Sequence, residues 1–203
     1  MADTAVSLVP LHTRPDLIDT SAEVIRTFWP ACKTERLRRI VAEEGSGLPC
    51  SLVLIEHREN SLEQVIGYSR LVPVTRPESP LGAYIEGVII IASKRGQGFG
   101  RKLMTGTEEY GAQNCGCEQF FLFCFAHKKS FYEHLSYEEM PANSFHTIGA
   151  NLQPTVDRIS SWYGNQPPAG WESAYDWGHI ASKEEMAEGA FGFITMRKCL
   201  KLP

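Results

Sequence analysis

Along the chain, short runs of alternating or continuous apolar residues take turns with stretches whose apolar positions recur every three or four residues. The two periods predict strands and helices in turn. AVSLV (5–9) predicts a short first strand. RPDLIDTSAEVIRTFWP (14–30) places Leu17, Ile18, Val24, Ile25 and Phe28 at helical spacing and predicts a helix that Pro30 stops. CKTERLRRIVAEEGSG (32–47) predicts a shorter helix, with Thr34 as its cap and Gly45 and Gly47 at its end. CSLVLIEH (50–57) and QVIGYSRLVPV (64–74) predict two strands around a polar turn, and TRPESPLG (75–82) predicts a loop. AYIEGVIII (83–91) is apolar almost throughout its second half, as a central strand buried on both faces would be.

A glycine-rich loop follows, and after it a helix with Phe99, Leu103, Met104 and Tyr110 as its inner face, ending near Gly116. EQFFLFCF (118–125) predicts a second central strand, KKSFYEHL (128–135) a short helix, and the stretch 136–150 a further strand. GAFGFITMRKCL (189–200) predicts the closing strand. Between them, 151–189 is rich in Pro, Gly, Trp and polar residues and predicts a long irregular loop, a length usually tied to function or mobility. No repeat and no second apolar core emerge, so the expectation is one α/β domain over residues 1–203.

Composition narrows the partners. The 203 residues hold 43% hydrophobic and 22% charged residues, ordinary for a globular chain. The net charge of −4 argues against a globally basic nucleic-acid binder. Cys32, Cys50, Cys115, Cys117, Cys124 and Cys199 form neither a CxxC pair nor a zinc spacing, which predicts reduced thiols and no metal. The N-terminus lacks the basic and apolar regions of a signal peptide, and no apolar run approaches the roughly 18 residues of a membrane span. The expected location is the cytosol, with neither a membrane nor a nucleic acid as partner.

The candidate chemistry starts at RGQGFGRKLM (95–104). Glycines let backbone amides approach a ligand, and the helix that begins there adds positive character, so the stretch predicts an anion cradle. Three phosphate-loop patterns compete. The nucleotide triphosphatase form requires Gly-Lys-Ser/Thr, but Gly100 is followed by Arg101, Lys102 and Leu103. The dinucleotide form GxGxxG is met by Gly96 and Gly98, but its third glycine falls on Arg101. The pattern Q/R-x-x-G-x-G/A is met in full by Arg95, Gly98 and Gly100.

That third pattern, set between a buried strand and a helix and followed by a strand and FYEHLSYE (131–138), resembles the GCN5-related N-acetyltransferase (GNAT) superfamily. The resemblance covers about residues 5 to 150 and the last strand. It implies a central, mixed, mostly antiparallel seven-stranded sheet flanked by about four helices and splayed at strands 4 and 5. It implies acetyl-CoA as cosubstrate, its pyrophosphate on the loop Arg95, Gly96, Gln97, Gly98, Phe99, Gly100 and Arg101. The backbone amides of Val88 and Ile90, on a bulged strand, are implied to bind the thioester carbonyl. Two positions depart from the family pattern. Ser136 stands where glycine is usual, and FAHKKS has no Asn for the pantetheine arm.

Acetyl transfer to an amine needs a neutral amine, a polarised carbonyl and a proton for the leaving thiolate. Tyr132 is placed by the resemblance as the acid near the sulfur. Glu86, four residues before Ile90 and so expected on the same strand face, is a candidate base. His146 and His127 are two more. Cys124 sits in an apolar strand with nothing nearby to lower its pKa, and is expected in the core.

The acceptor is indicated by charge. About a tenth of α-amines are already neutral at pH 7, against about one lysine in a few thousand, so a site without a strong base suits an N-terminal amine. CKTERLRRI concentrates Lys33, Arg36, Arg38 and Arg39 in an acidic chain, and helical spacing brings Lys33, Arg36 and Arg39 together. A basic wall there implies an acidic substrate. With LHTRPDLID and TFWP, the chain is similar to the animal actin N-terminal acetyltransferases. That resemblance implies the processed actin N-terminus or another acidic N-terminal peptide as substrate, Trp29 at the acceptor groove, and actin-associated proteins as further partners. A small-molecule amine acetyltransferase of the same superfamily and a non-catalytic acyl-CoA-binding module remain as alternatives.

Overall fold

The computed structural model describes residues 5–30, 32–57, 63–74, 81–141 and 193–200. Their strands are β1 (Val6–Pro10), β2 (Cys50–His57), β3 (Glu63–Val74), β4 (Gly82–Ile90), β5 (Gln119–Phe125), β6 (Glu138–Glu139) and β7 (Phe193–Cys199). Their α-helices are α1 (Ile18–Arg26), α2 (Thr34–Ala42), α3 (Phe99–Cys115) and α4 (Lys129–Glu133). The strands form one seven-stranded sheet in the order β1-β2-β3-β4-β5-β7-β6. Neighbours are antiparallel except β4 and β5, which are parallel. This is the mixed, mostly antiparallel sheet that the family resemblance implies.

Alternation along the strands sorts the core onto the two faces of the sheet. Val53, Ile55, Val65, Tyr68 and Ile89 pack with Leu17, Ile18, Ala22, Ile25, Leu37 and Val41 on the α1 and α2 side. Leu52, Leu71, Ala83, Ile85, Phe120 and Leu122 pack with Met104, and Leu54, Ile66 and Ile90 with Phe99 and Leu103, on the α3 side. Each fully buried apolar side chain of this size stabilises by about 1.5–3 kcal/mol.

Several element ends differ from the periodicity. The helix predicted over 14–30 is confined to Ile18–Arg26, because Leu11–Thr13 and Pro15–Leu17 form two tight 3-10 turns first. Thr34 does not cap α2. Lys33 holds the cap position with extended backbone, and Thr34 begins the helix, its Oγ1 accepting from Arg26 Nη1 at 3.1 Å. Tyr110 is half-buried against the core cluster of Met104 and Phe120 with its hydroxyl on the Ser46 carbonyl, and the inner face of α3 also holds Thr107, Glu108 and Gly111. The strand expected in 136–150 is Glu138–Glu139. The loop over 151–189 and His146 lie outside the described residues.

Candidate active site

The site opens where the sheet comes apart. β4 and β5 hold register over three pairs, Gly82–Gln119, Ala83–Phe120 and Tyr84–Phe121. Past Tyr84 the strands separate, β4 running on to Ile90 and β5 to Phe125. β4 is buried along its length except at Glu86, Gly87 and Val88, which are half-buried. So the divergence expected at strands 4 and 5 leaves three consecutive residues of a central strand open.

A bulge sits in this segment. β3 advances from Tyr68 to Arg70 while β4 steps back three residues, from Ile89 to Glu86. Gly87 takes φ +69°, the left-handed conformation of the glycine-type bulge. An extra residue in one strand reverses the alternation beyond it. Glu86 therefore does not share the face of Ile90, as simple counting expects. It lies on the α1 and α2 face against Arg70, whereas Ile90 packs against Leu103 of α3. Val88 packs on the same side as Ile90.

At the end of β4 the glycine loop turns into α3. Gly96 and Gly98 have φ of +75° and +84°, conformations that cost other residues about 1–2 kcal/mol. A Cβ built on either meets no atom within 4 Å. Packing therefore does not demand glycine at these two positions, and the space beside them is free for a ligand. Lys102 closes the first turn of α3 on the Gly98 carbonyl at 3.1 Å, so the amides of Phe99, Gly100 and Arg101 precede any intrahelical acceptor. Side chains brace the loop from outside. Arg95 Nε donates to the Ile90 carbonyl at 2.9 Å and Gln97 Nε2 to the Ser93 carbonyl at 2.9 Å. Phe99 is buried in the core with Lys94 and Lys102 near its ring. Arg101 and Lys102 are exposed beside the turn. An amide-lined cradle at a helix N-terminus with cations around it fits a pyrophosphate, and with it acetyl-CoA.

On the other face, a line of polar groups leads away from Glu86. Glu86 Oε1 accepts from Arg70 Nη1 at 2.9 Å, and Arg70 Nε donates to Glu44 Oε1 at 2.8 Å. Ser51 donates to Glu44 from its amide and its hydroxyl, at 2.8 and 3.0 Å. With the one hydroxyl proton of Ser51 so used, the Tyr68 hydroxyl, 3.0 Å away, is the donor to Ser51 Oγ. Burial pushes the Tyr68 pKa upward, which keeps that donor protonated. None of Arg70, Glu44, Ser51 and Tyr68 stood out in the sequence. The one usable signal was Gly87 inside a strand pattern, which marks a bulge.

The α1–α2 connection lies on the same side of β4, where the sequence reading expects the acceptor groove. Trp29 is half-buried, its amide on the Ile25 carbonyl at 2.8 Å. Its ring lies 3.8 Å from a Cβ built on Gly87, so it stands beside the bulge. On α2 and at its cap, Lys33 and Arg39 are exposed and Arg36 is half-buried. Arg38 points elsewhere and pairs with Asp19 at 2.6 Å.

Tyr132 of α4 packs half-buried against the same core cluster as Val88, edge-on to Phe131 and Tyr137. Burial, with Cys124 nearby, raises its pKa, so its hydroxyl is protonated at neutral pH. Cys124 is buried with Sγ 3.7 Å from Met196 Sδ, and burial pushes its pKa up to about 12. That is a core thiol, as expected. His127 is exposed and stacks on Phe125. Ser136, in the place where the family pattern has glycine, takes φ +68°. Among the described residues no group of His, Cys, Asp and Glu is arranged to hold a metal, and no helix is long and apolar enough to cross a membrane.

A parallel pair that parts around a bulged strand, with an anion cradle at its end, defines the class. Residues 17–137 match the acetyltransferase (GNAT) family model, and the chain belongs to that family. It is similar to mouse (Mus musculus) N-alpha-acetyltransferase 80, with 31% identity over 152 residues, covering 73% of this chain and 46% of the relative. The chain thus spans about half the length of that relative. Solved structures that share the fold include two coenzyme complexes. Arabidopsis thaliana NAA60 in complex with acetyl-CoA is 16% identical with a TM-score of 0.54, over 68% of this chain and 86% of that one. An aminoglycoside 6'-N-acetyltransferase complexed with coenzyme A is 14% identical with a TM-score of 0.56, over 98% and 99%.

Proposed function

We propose that this chain transfers the acetyl group of acetyl-CoA to the α-amine of an acidic protein N-terminus, processed actin being the foremost candidate. One observation carries the proposal. β4 opens between a cradle for a phosphate-bearing ligand on its α3 side and a half-buried carboxylate, Glu86, on its α1–α2 side.

In this reading the loop from Arg95 to Arg101 binds the pyrophosphate through backbone amides, with Arg95 and Gln97 bracing the turn. The amides of Val88 and Ile90 polarise the thioester carbonyl as oxyanion donors do. The α-ammonium enters beside Trp29 and gives a proton to Glu86, directly or through a water. The freed nitrogen pair attacks the acetyl carbon, and the C–S bond then breaks. The sulfur takes the Tyr132 proton. The second proton lost by the nitrogen restores Tyr132, so one proton passes to solvent overall. The core placement of Cys124 favours this direct attack over an acetyl-cysteine intermediate. His146 stays a candidate for assisting the proton transfer.

The preference for acidic substrates rests on Lys33, Arg36 and Arg39. A charge pair at 4 Å is worth about 1 kcal/mol in water and more where partly dry. Two or three such pairs separate acidic from neutral N-termini by about ten- to several hundred-fold. The same basic surface disfavours a cationic small-molecule amine as acceptor. Steady-state thiol release with peptides beginning Asp-Asp-Asp, beginning with a neutral residue, or carrying a blocked N-terminus and an internal lysine tests the proposal. The acidic peptide should show a kcat/KM at least about tenfold above the others. Equal turnover of the neutral peptide discards the acidic preference, and turnover of the lysine peptide alone discards the α-amine.

A further inference from the structure

We propose that Arg70, anchored by Glu44, is a positioning residue that holds the Glu86 carboxylate at the acceptor face of the opened β4. The proposal rests on the reading of Glu86 as the group that takes the amine proton.

The three charges form one buried line. The side chains of Glu44, Arg70 and Glu86 are 0%, 8% and 14% exposed. Arg70 and Glu86 are register partners across β3 and β4, immediately next to the bulge. Ion pairs taken out of water recover their desolvation cost poorly, and well-packed apolar residues often stabilise a fold as well or better. The pairing is therefore weak as an explanation of stability and calls for another.

The distribution of hydrogen bonds supplies one. Glu44 is held on both oxygens, accepting three hydrogen bonds in all. It fixes Arg70 from behind through Nε, while Ser51 holds Glu44 and Tyr68 holds Ser51 in turn. Arg70 is thereby left to offer Nη1 to Glu86 Oε1 alone. Glu86 Oε2 takes no bond among the described residues, so the carboxylate is oriented through one oxygen and keeps the other for a ligand. Trp29 and the left-handed Gly87 stand next to it. The same anchor ties the end of α2, whose other turns carry Arg36 and Arg39, to the proton-accepting group. Two carboxylates on one guanidinium also leave the cluster with a net negative charge, suited to an incoming ammonium.

A double-mutant cycle on kcat tests this. Glu86→Gln should lower kcat about 100-fold with little change in the KM for acetyl-CoA. Arg70→Met alone strands a buried Glu44 and can fail to fold, so the working variant is Arg70→Met with Glu44→Gln, which removes both charges. It should lower kcat about tenfold, again sparing the KM for acetyl-CoA, and should cost no further activity when combined with Glu86→Gln. A merely structural role cannot produce that saturation, because its loss multiplies with that of Glu86→Gln. Multiplicative losses, or an unchanged kcat in Arg70→Met with Glu44→Gln, overturn the proposal and leave Glu86 as the proton acceptor. An unchanged kcat in Glu86→Gln overturns that reading of Glu86 and the positioning role with it.

Discussion

Replacing Gly98 with aspartate separates the two duties of the glycine loop, which are to turn the chain and to hold an anion. Gly98 sits at φ 84° and ψ −6°, and a Cβ there has no heavy atom within 4 Å. The conformational cost of a non-glycine residue in this region is about 1–2 kcal/mol, with Asp and Asn at the lower end. A carboxylate at the N-terminus of α3 recovers about 0.3–1 kcal/mol from the helix dipole. The fold should therefore lose no more than about 1 kcal/mol, a drop of roughly 2–4 °C in Tm for a chain of this size. The ligand meets a larger effect. A carboxylate about 5 Å from a doubly charged pyrophosphate feels two repulsions of about 3 kcal/mol each at an effective dielectric near 20. Screening by salt and rotation of the side chain reduce the sum to about 2–4 kcal/mol, which weakens the Kd by about 30- to 1,000-fold. Calorimetric titration with acetyl-CoA reads this directly. Gly98→Asn isolates size from charge and should show the same Tm with a loss of only about 3- to 10-fold. A folded Gly98→Asp protein that binds acetyl-CoA within about threefold of the parent refutes the cradle.

Three further outcomes are expected. Arg36→Glu with Arg39→Glu should raise the KM for acidic peptides by about tenfold or more and leave acetyl-CoA affinity unchanged, whereas Arg38→Ala, already paired with Asp19, should change neither in a kinetic comparison. Cys124→Ala should keep kcat within about threefold in the same assay, because a buried thiol pushed up to about 12 supplies no thiolate. Glu108 is buried between Tyr137 and Lys198, and burial raises its pKa. Its folded-state pKa lies above its unfolded one, so its contribution to stability is complete below the ordinary carboxylate range and is lost as pH rises through the raised value. Denaturant titrations between about pH 4 and pH 7 should therefore show a shallower decline for Glu108→Gln than for the parent.

The features legible in the sequence were those set by local backbone demands. Gly96 and Gly98 announced an open, amide-lined loop before a helix, which their φ of +75° and +84° bear out, and the continuous apolar run of β4 announced a central strand. Ser136 is a related case. Its substitution for the usual glycine was visible in FYEHLSYE, and its φ of +68° shows the backbone demand behind that glycine. What stayed hidden depends on contacts distant in sequence. Simple alternation put Glu86 on the face of Ile90, and the bulge at Gly87 reversed it. Glu44, Ser51, Tyr68 and Arg70 come from a helix end and two strands, and only folding brings them into one line. Helical spacing did separate Arg38 from Arg36 and Arg39, because that relation lies within a single helix.

The central claim is that the opened β4 brings acetyl-CoA and a protein α-amine together. The most direct measurement is tandem mass spectrometry of a peptide beginning Asp-Asp-Asp and carrying an internal lysine, after incubation with the full chain and carbon-13-labelled acetyl-CoA. The account predicts the labelled acetyl group on the α-nitrogen, dependent on the enzyme. Label on the lysine alone, or none on either nitrogen, would contradict it.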